Sequence, residues 1–378
     1  ALITKVTETH AYAKLLAIVQ ESKDRVTPAC NIAYQCGGCQ LQHVSQDQQI
    51  TYKTSLLKQA FEQHNLSFPK THIHKMSAPF HYRNKAHYSI EKKQNKTTAI
   101  GLCAPRSQLV IDIPTCAIQH PLSNKALNIL RKIINTYPTS IFSEKAKSAG
   151  LSGIVTRVGV NTNELMVILS TNNAQLIDQK TIISKLKEIP ELKSIILNTN
   201  TNPSWTLLGQ KNQVIWGKES ITEKIKDFSF TIGPNTFFQA NPYQTEVMWD
   251  IVSKILDKKP NQTIYDLYCG TGSMSIYLAK KLKKVIGIES QKESIEIATQ
   301  NAITNNVTNI EFIQGNVETI FPKMKEPCNT VIVDPPRTGL NKEIIDSLIQ
   351  KKPKDIIYIS CNPVSLARDL ESLVNSGY

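Results

Sequence analysis

The sequence is poor in what a membrane or secreted protein needs. No run of about 18 apolar residues occurs in its 378, which excludes a membrane-spanning helix of ordinary composition. The start shows no charged, apolar, then small-residue succession of a secretion signal. Internal repeats and low-complexity segments are absent. Acidic residues are the scarcer charge: 31 Asp and Glu against 44 Lys and Arg leave a net +13. That excess suits a polyanionic partner, nucleic acid first. Without a secretion signal, the 8 cysteines are expected to be metal-binding or catalytic thiols in a reducing, cytoplasmic setting rather than disulfides. With 40% hydrophobic and 20% charged residues, the length suits a globular chain of two or three domains. A monomer is expected.

Along the chain, an apolar run at residues 15–19 predicts an early strand, and residues 45–64 have helical spacing. From residue 82 to 233 short strands ("AHYSIE", "TAIGLCA", "GIVTRVGV", "ELMVILST", "SIILNTN") alternate with turns, and helices are expected over 121–137 and 174–189. This middle region reads as a mostly antiparallel α+β domain. From residue 241, helices alternate with apolar strands, the pattern of a doubly wound α/β domain. The chain starts at Ala1 and stops on "NSGY", where another strand would follow, so both ends are expected to lie inside a longer protein.

Four motifs carry chemistry. In "YDLYCGTGSMSIYLA" a strand ends at Asp266-Leu267-Tyr268, and a turn with Gly270 and Gly272 opens into a helix. Glu289, at the end of the next strand, lies nineteen residues after Gly270, at the spacing where an acidic side chain takes ribose hydroxyls. The third glycine of a dinucleotide fingerprint is missing, since position 275 is serine. A nucleoside without phosphates, such as S-adenosylmethionine, suits that turn. In "VIVDPPRTGL", Asp334 stands at a strand end ahead of two prolines that stiffen the backbone, placing a carboxylate beside cofactor or substrate. "IGPNTFFQANP" offers Phe237, Phe238, Gln239 and Asn241, read either as site residues or as a core aromatic pair followed by a helix cap.

The fourth motif is C-x5-C-G-G-C, formed by Cys30, Cys36 and Cys39, a compact clamp for a bulky metal group. A fourth thiolate must come from Cys103, Cys116, Cys269, Cys328 or Cys361, and loop-borne Cys116 in "DIPTCAIQHP" is the choice. An iron–sulfur cluster is favoured. Structural zinc is the rival, although zinc sites usually bring paired C-x2–4-C knuckles and only one such pair exists here. Finally, Cys361 in "IIYISCNPVSLARDL" sits at a strand end, open to two readings: a small buried hydrophobe or a nucleophile.

In this order, "CNIAYQCGGCQLQHV", "YRNKAHYS", "FFQANP", "DLYCGTGSMS", "VIGIES", "DPPRTGL" and "YISCNPVSLARDL" make the chain resemble the RNA uracil-5-methyltransferases, in particular the iron–sulfur branch acting on 23S ribosomal RNA. The resemblance implies a Rossmann-like S-adenosylmethionine-dependent methyltransferase domain at 236–378. Before it, an iron–sulfur loop and central α+β RNA-binding domain would occupy 29–235, with helix 45–64 packing on the catalytic domain. Residues 1–28 would be the remnant of a TRAM-type β-barrel. It further implies a 4Fe–4S cluster on Cys30, Cys36, Cys39 and Cys116, cofactor contacts from Gln239, Tyr268, Glu289, Asn316 and Asp334, and Cys361 as the nucleophile that adds to C6 of uracil. Two departures stand out: Ser273 replaces an asparagine common in the family, and the family's general base, a glutamate, would fall beyond Tyr378. A cytosine-5 RNA methyltransferase and a non-catalytic RNA-binding factor are the alternative functions.

Overall fold

A computed structural model describes residues 1–378 except 94–96, 138–140, 142–149, 173–175, 177, 202–206 and 258–260. Strands β1 (Leu2–Val6) and β2 (Ala11–Lys14) form an antiparallel hairpin whose every residue is exposed. The strand expected over 15–19 does not form, and Leu15, Leu16 and Val19 lie open to solvent. No neighbouring strand offers that run a ladder for its backbone groups, and apolar composition alone does not supply one. This hairpin is what stands where a barrel remnant was expected.

Helix α1 (Gln46–Gln63) begins where Ser45 Oγ accepts the amide of Gln48, with Asp47 in its first turn. Ala60 and Phe61 are buried with Ala367, which belongs to the last helix of the chain. His64 Nδ1 bonds Glu371 Oε2 across the same contact at 2.7 Å. Leu57, Leu66, Phe68, Leu366 and Leu370 pack around the same contact.

The middle of the chain supplies β3 (Lys85–Lys92), β4 (Thr98–Cys103), β5 (Val110–Asp112), α2 (Pro121–Thr136), β6 (Leu151–Gly159), β7 (Glu164–Thr171), α3 (Gln179–Leu186), β8 (Leu192–Thr199) and β9 (Lys211–Gly217). The helix expected over 174–189 is found as α3; part of its expected start lies outside the described residues. The strands form a seven-stranded sheet in the order β5-β4-β3-β6-β7-β8-β9. All its pairs are antiparallel except β7 with β8, which α3 connects. One face packs on α2, with Ile154, Leu165 and Val167 against Leu127 and Leu130. The alternate residues Val155, Met166 and Ile168 point into a second core. Burial on both faces is why "ELMVILST" reads as one continuous apolar run.

That second core is built by a hairpin the sequence reading missed, β10 (Ile221–Ile225) and β11 (Phe228–Ile232). Its inward residues Ile221, Phe228 and Phe230 meet Trp249 and Val252 of α4 (Pro242–Leu256). The apolar interior therefore runs without a break across the expected division at 235/236.

The remainder alternates: β12 (Thr263–Leu267), α5 (Ser273–Ala279), β13 (Lys284–Glu289), α6 (Lys292–Thr304), β14 (Ile310–Gln314), the one-turn α7 (Val317–Ile320), β15 (Thr330–Val333), α8 (Lys342–Lys351), β16 (Asp355–Tyr358) and α9 (Pro363–Val374). The five strands are all parallel, in the order β14-β13-β12-β15-β16. The chain reverses its direction of travel across the sheet between β12 and β15. Beyond the carboxyl ends of two such strands an open α/β sheet forms its crevice. Among the described residues no helix is long and apolar enough to cross a membrane.

Candidate active site

After β12 the backbone makes a tight turn in which Tyr268, Gly270 and Gly272 have φ of 66°, 55° and 69°. Gly272 caps α5, and a Cβ there would stand 2.4 Å from Phe312 Cζ, so only glycine fits. Glu289, at the end of β13, braces the turn: its Oε2 accepts the amide of Gly270 at 3.2 Å, and its Oε1 accepts that of Gln291 at 2.9 Å. Tyr268 donates its hydroxyl to Glu318 Oε1 at 2.8 Å.

Ser275, where a dinucleotide site would have glycine, donates its hydroxyl to Oδ2 of the buried Asp266. Oδ1 of Asp266 has no partner among the described residues. Burial, with the nearby charges of Asp334 and Glu289, pushes this carboxyl up to about 7 despite the serine bond. Asp334 follows β15, and burial raises it to about 6, against a lowering hydrogen bond from Gln239 Nε2 at 3.3 Å. Phe237, Gln239, Asp266, Tyr268, Gly270 and Asp334 lie on the walls of one small open cleft.

The "FFQANP" motif thus divides. Phe238 is core, whereas Phe237 is 62% exposed. Gln239 reaches Asp334, whereas Asn241 caps α4 by accepting the amide of Gln244. The helix cap is found at Asn241, whereas of the expected core pair only Phe238 is buried. Of the other expected cofactor residues, Glu289 stands behind the turn. Asn316 is an exposed residue at the start of α7, and neither is among the residues lining the cleft.

Cys361 is exposed, which removes the buried-hydrophobe reading. It lies just past β16, which pairs in parallel with β15, and the ladder is extended by the amide of Ile359 donating to Val333 O. Asn362 caps α9 and donates through Nδ2 to Arg337 O at 2.9 Å, while Ser365 Oγ donates to the same carbonyl. Buried Asp369 accepts the amide of Leu340 at 2.7 Å and the hydroxyl of Tyr358 at 2.6 Å. These bonds staple the Cys361 loop to the Asp334-Pro335-Pro336-Arg337 loop at one edge of the sheet.

The cysteine loop packs on β4 and the turn after it. The amide of Gly37 donates to Cys103 O at 2.9 Å, and a Cβ at Gly37 would come 2.7 Å from that oxygen. The amide of Gly38 donates to Cys36 Sγ at 3.3 Å. Burial raises the Cys36 thiol, as do the charges of Cys39, Cys30 and Cys103; burial raises Cys116, as do Cys39 and Cys30. Cys30 and Cys39 thus act on both Cys36 and Cys116, and Cys103 acts on Cys36. They do not form a closed metal clamp here: among the described residues no three His, Cys, Asp or Glu side chains converge into a metal-binding group.

The family described as tRNA (Uracil-5-)-methyltransferase matches residues 45–377. An uncharacterized RNA methyltransferase of Clostridium tetani is 39% identical over 381 residues, spanning 100% of this chain and 83% of that protein. A second, from Caldanaerobacter subterraneus subsp. tengcongensis, is 39% identical over 386 residues, spanning 100% and 85%. Among solved structures, the Pyrococcus abyssi tRNA (uracil-54, C5)-methyltransferase in complex with S-adenosyl-L-homocysteine is 30% identical. It superposes with a TM-score of 0.79 over 97% of this chain and 83% of that one. Matched over most of its length by the family and by these relatives throughout, the chain belongs to the RNA uracil-5-methyltransferases.

Proposed function

We propose that the protein transfers a methyl group from S-adenosylmethionine to C5 of a uridine in RNA through a transient bond between Cys361 and C6 of the base. One observation carries this reading: an exposed thiol follows β16, and the adjacent parallel strand β15 leads to Asp334, which with Gln239 lines a cleft under a glycine turn. The carboxylates and the amide that line the cleft suit a nucleoside cofactor in donor set. The half-satisfied carboxyl of Asp266 and the raised carboxyl of Asp334 complement a ligand with positive charge. When bound, S-adenosylmethionine supplies an electrophilic methyl group.

The residues then have distinct tasks. Uracil C5 is too weak a carbon nucleophile to displace a methyl group unaided. The Cys361 thiolate adds to C6, and the electrons move onto C5 and O4 as an enolate. C5 takes the methyl group, a base removes the C5 proton, and the Cys361–C6 bond breaks to return the thiolate. Gln239, Tyr268, Glu289, Asn316 and Asp334 shape and hold the site. The target base must leave its stack to meet Cys361, so a loop or a flipped nucleotide is required. The net charge of +13 favours the phosphate backbone.

Ribosomal 23S RNA is the proposed substrate, from the likeness to the iron–sulfur branch. Transfer RNA is the second reading, favoured by the likeness to the uracil-54 enzyme. Incubating this chain with S-adenosylmethionine and each purified RNA, then analysing nucleosides by mass spectrometry, decides between them. Methyluridine in 23S RNA alone supports the first reading, and in tRNA alone the second. Methylcytosine, or neither methyluridine nor a covalent RNA adduct on Cys361 with either RNA, would overturn the proposed reaction.

Cys30, Cys36, Cys39 and Cys116 are also proposed to hold a 4Fe–4S cluster. What supports it is that Cys30 and Cys39 act on both Cys36 and Cys116, and that an amide points at Cys36 Sγ. Its contribution would be to tie the 30–39 loop to the turn that carries Cys116. Anaerobic protein should contain about four irons per chain; stoichiometric zinc without iron would refute this.

A further inference from the structure

We propose that Asn84 and Arg157, two buried polar residues of the central sheet, are positioning residues that set Gln239 against Asp334. The proposal rests on the function proposed above and adds to it a part of the site that lies outside the α/β unit.

Residues 233–240 connect β11 to α4 with neither helix nor strand of their own. Their carbonyls have no ladder to join, yet most are taken up by two residues. Arg157, 2% exposed on β6, donates through Nη1 to Gly233 O, to Pro234 O at 3.3 Å and to Thr236 O at 2.7 Å. Asn84, 3% exposed ahead of β3, donates through Nδ2 to Gln239 O at 2.9 Å and through its backbone amide to Ala240 O at 3.1 Å. Asn84 is itself held, since Val158 N, one residue beyond Arg157, donates to its carbonyl at 2.9 Å. Thr236 Oγ1 closes the loop on the amide of Gly233 at 3.1 Å.

A buried guanidinium is costly unless its donors are used. Burial lowers Arg157 to about 9, and the charge of Glu293 opposes that shift, so the group stays protonated at neutral pH. Its Nη1 gathers three carbonyls of one loop from a rigid guanidinium plane, which a flexible lysine would hold with less geometric precision. Asn84 grips the backbone of the very residue whose side chain meets Asp334. Among the described residues no other side chain bonds the Gln239 backbone. The central sheet therefore dictates where one wall of the cleft stands. Arg83 and Lys85 flank Asn84 in sequence and are only partly buried, so the same strand start is available to RNA phosphate.

The test is a double-mutant cycle on the full-length protein with RNA and S-adenosylmethionine both saturating. Asn84→Asp keeps the shape but loses the Nδ2 donor, and Gln239→Ala keeps the backbone carbonyl. Each single change is expected to lower kcat by roughly 10–100-fold, as small misplacements at a site do. RNA affinity should change by less than about twofold, in contrast to Arg83→Ala, which should act on RNA affinity. The pair together should be no worse than Gln239→Ala by more than about threefold, because residues acting through one group are not additive. Multiplying effects, or an unchanged kcat in Asn84→Asp, would overturn the proposal. Hydrogen exchange of residues 233–241 gives a second reading that does not need activity. Asn84→Asp and Arg157→Lys should each speed exchange there while leaving β12 and β15 protected, and unchanged exchange overturns the anchoring. If the unaltered chain makes neither methyluridine nor a covalent RNA adduct on Cys361, the proposed function fails, and the exchange measurement alone then decides whether the anchor exists.

Discussion

Replacing Asp266 by asparagine is expected to make the ligand-free protein more stable at pH 8, and less so at pH 5. The carboxyl is 1% exposed, has one hydroxyl donor in Ser275, and leaves Oδ1 unpartnered among the described residues. Burial, and then the charges of Asp334 and Glu289, raise it from 3.8 to about 7. The folded state therefore prefers the protonated form. That preference stabilises fully below the ordinary carboxyl value and is lost as pH rises through about 7. A carboxyl ionising some three pH values late forfeits ~4 kcal/mol once both states are ionised, at 1.36 kcal/mol per tenfold change in proton affinity. Asparagine carries no such charge, so the difference in unfolding free energy between variant and parent should widen by a few kcal/mol from pH 5 to 8. Urea titrations at fixed pH measure it. A cationic ligand in the cleft should reverse the preference, so binding of S-adenosylmethionine at pH 6.5 should release a proton, detectable by calorimetry in buffers of different ionisation heat. A pH-independent difference between the two proteins would refute the reasoning, because Asp266 would then titrate as an ordinary carboxylate.

Cys361→Ala should abolish methyluridine formation while leaving cofactor affinity within about twofold, since the residue is read as nucleophile rather than binder. With RNA carrying 5-fluorouridine, the parent should form a covalent adduct on Cys361, because fluorine cannot leave as a cation; an adduct that survives Cys361→Ala would mean another thiol attacks. Gly272→Ala should cost ~1–2 kcal/mol from its left-handed backbone alone, with more from the approach to Phe312, and an unchanged thermal midpoint would contradict the turn geometry. Cys116→Ser should lose bound iron in anaerobic preparations whereas Cys103→Ser should keep it, and the reverse would move the fourth ligand to Cys103. RNA affinity should fall steeply between 50 and 200 mM salt, and a flat response would remove the phosphate backbone as the main contact of the basic surface.

The parallel strands were legible because burial on both faces writes them as apolar runs of strand length, and "TVIVDPPR" and "KKVIGIES" gave their strands and their acidic ends together. The same rule misled at 15–19, where an apolar run has no partner strand. The hairpin β10–β11 was missed although its burial alternates along "ITEKI" and "FSFTI"; five residues of alternation were overlooked among turn residues. Ser275 looked like a departure from a glycine fingerprint, but its hydroxyl serves Asp266, a bond no spacing rule contains. Gln239 and Asn241 are chemically alike in sequence, and only the third dimension separates the site residue from the helix cap. Arg157 did leave a trace, a charge inside the apolar strand "GIVTRVGV". Its partners lie more than seventy residues away, so their identity could not be read locally.

The contact between α1 and α9 has a consequence for how the chain is made. His64 and Glu371 are 307 residues apart, and Ala60 and Phe61 depend on Ala367 for cover. A ribosome adding ~5–20 residues each second needs ~15–60 s to travel that distance. For that interval the apolar side of α1 has emerged and its partner helix has not yet been synthesised. Slow translation should lengthen the exposure, and a holdase chaperone should occupy nascent chains that end before residue 363 more than those that extend past 374. Grafting a charge at Ala60 would shorten chaperone retention and weaken the finished protein at once, so nascent-chain solubility and final packing make opposing demands on that position.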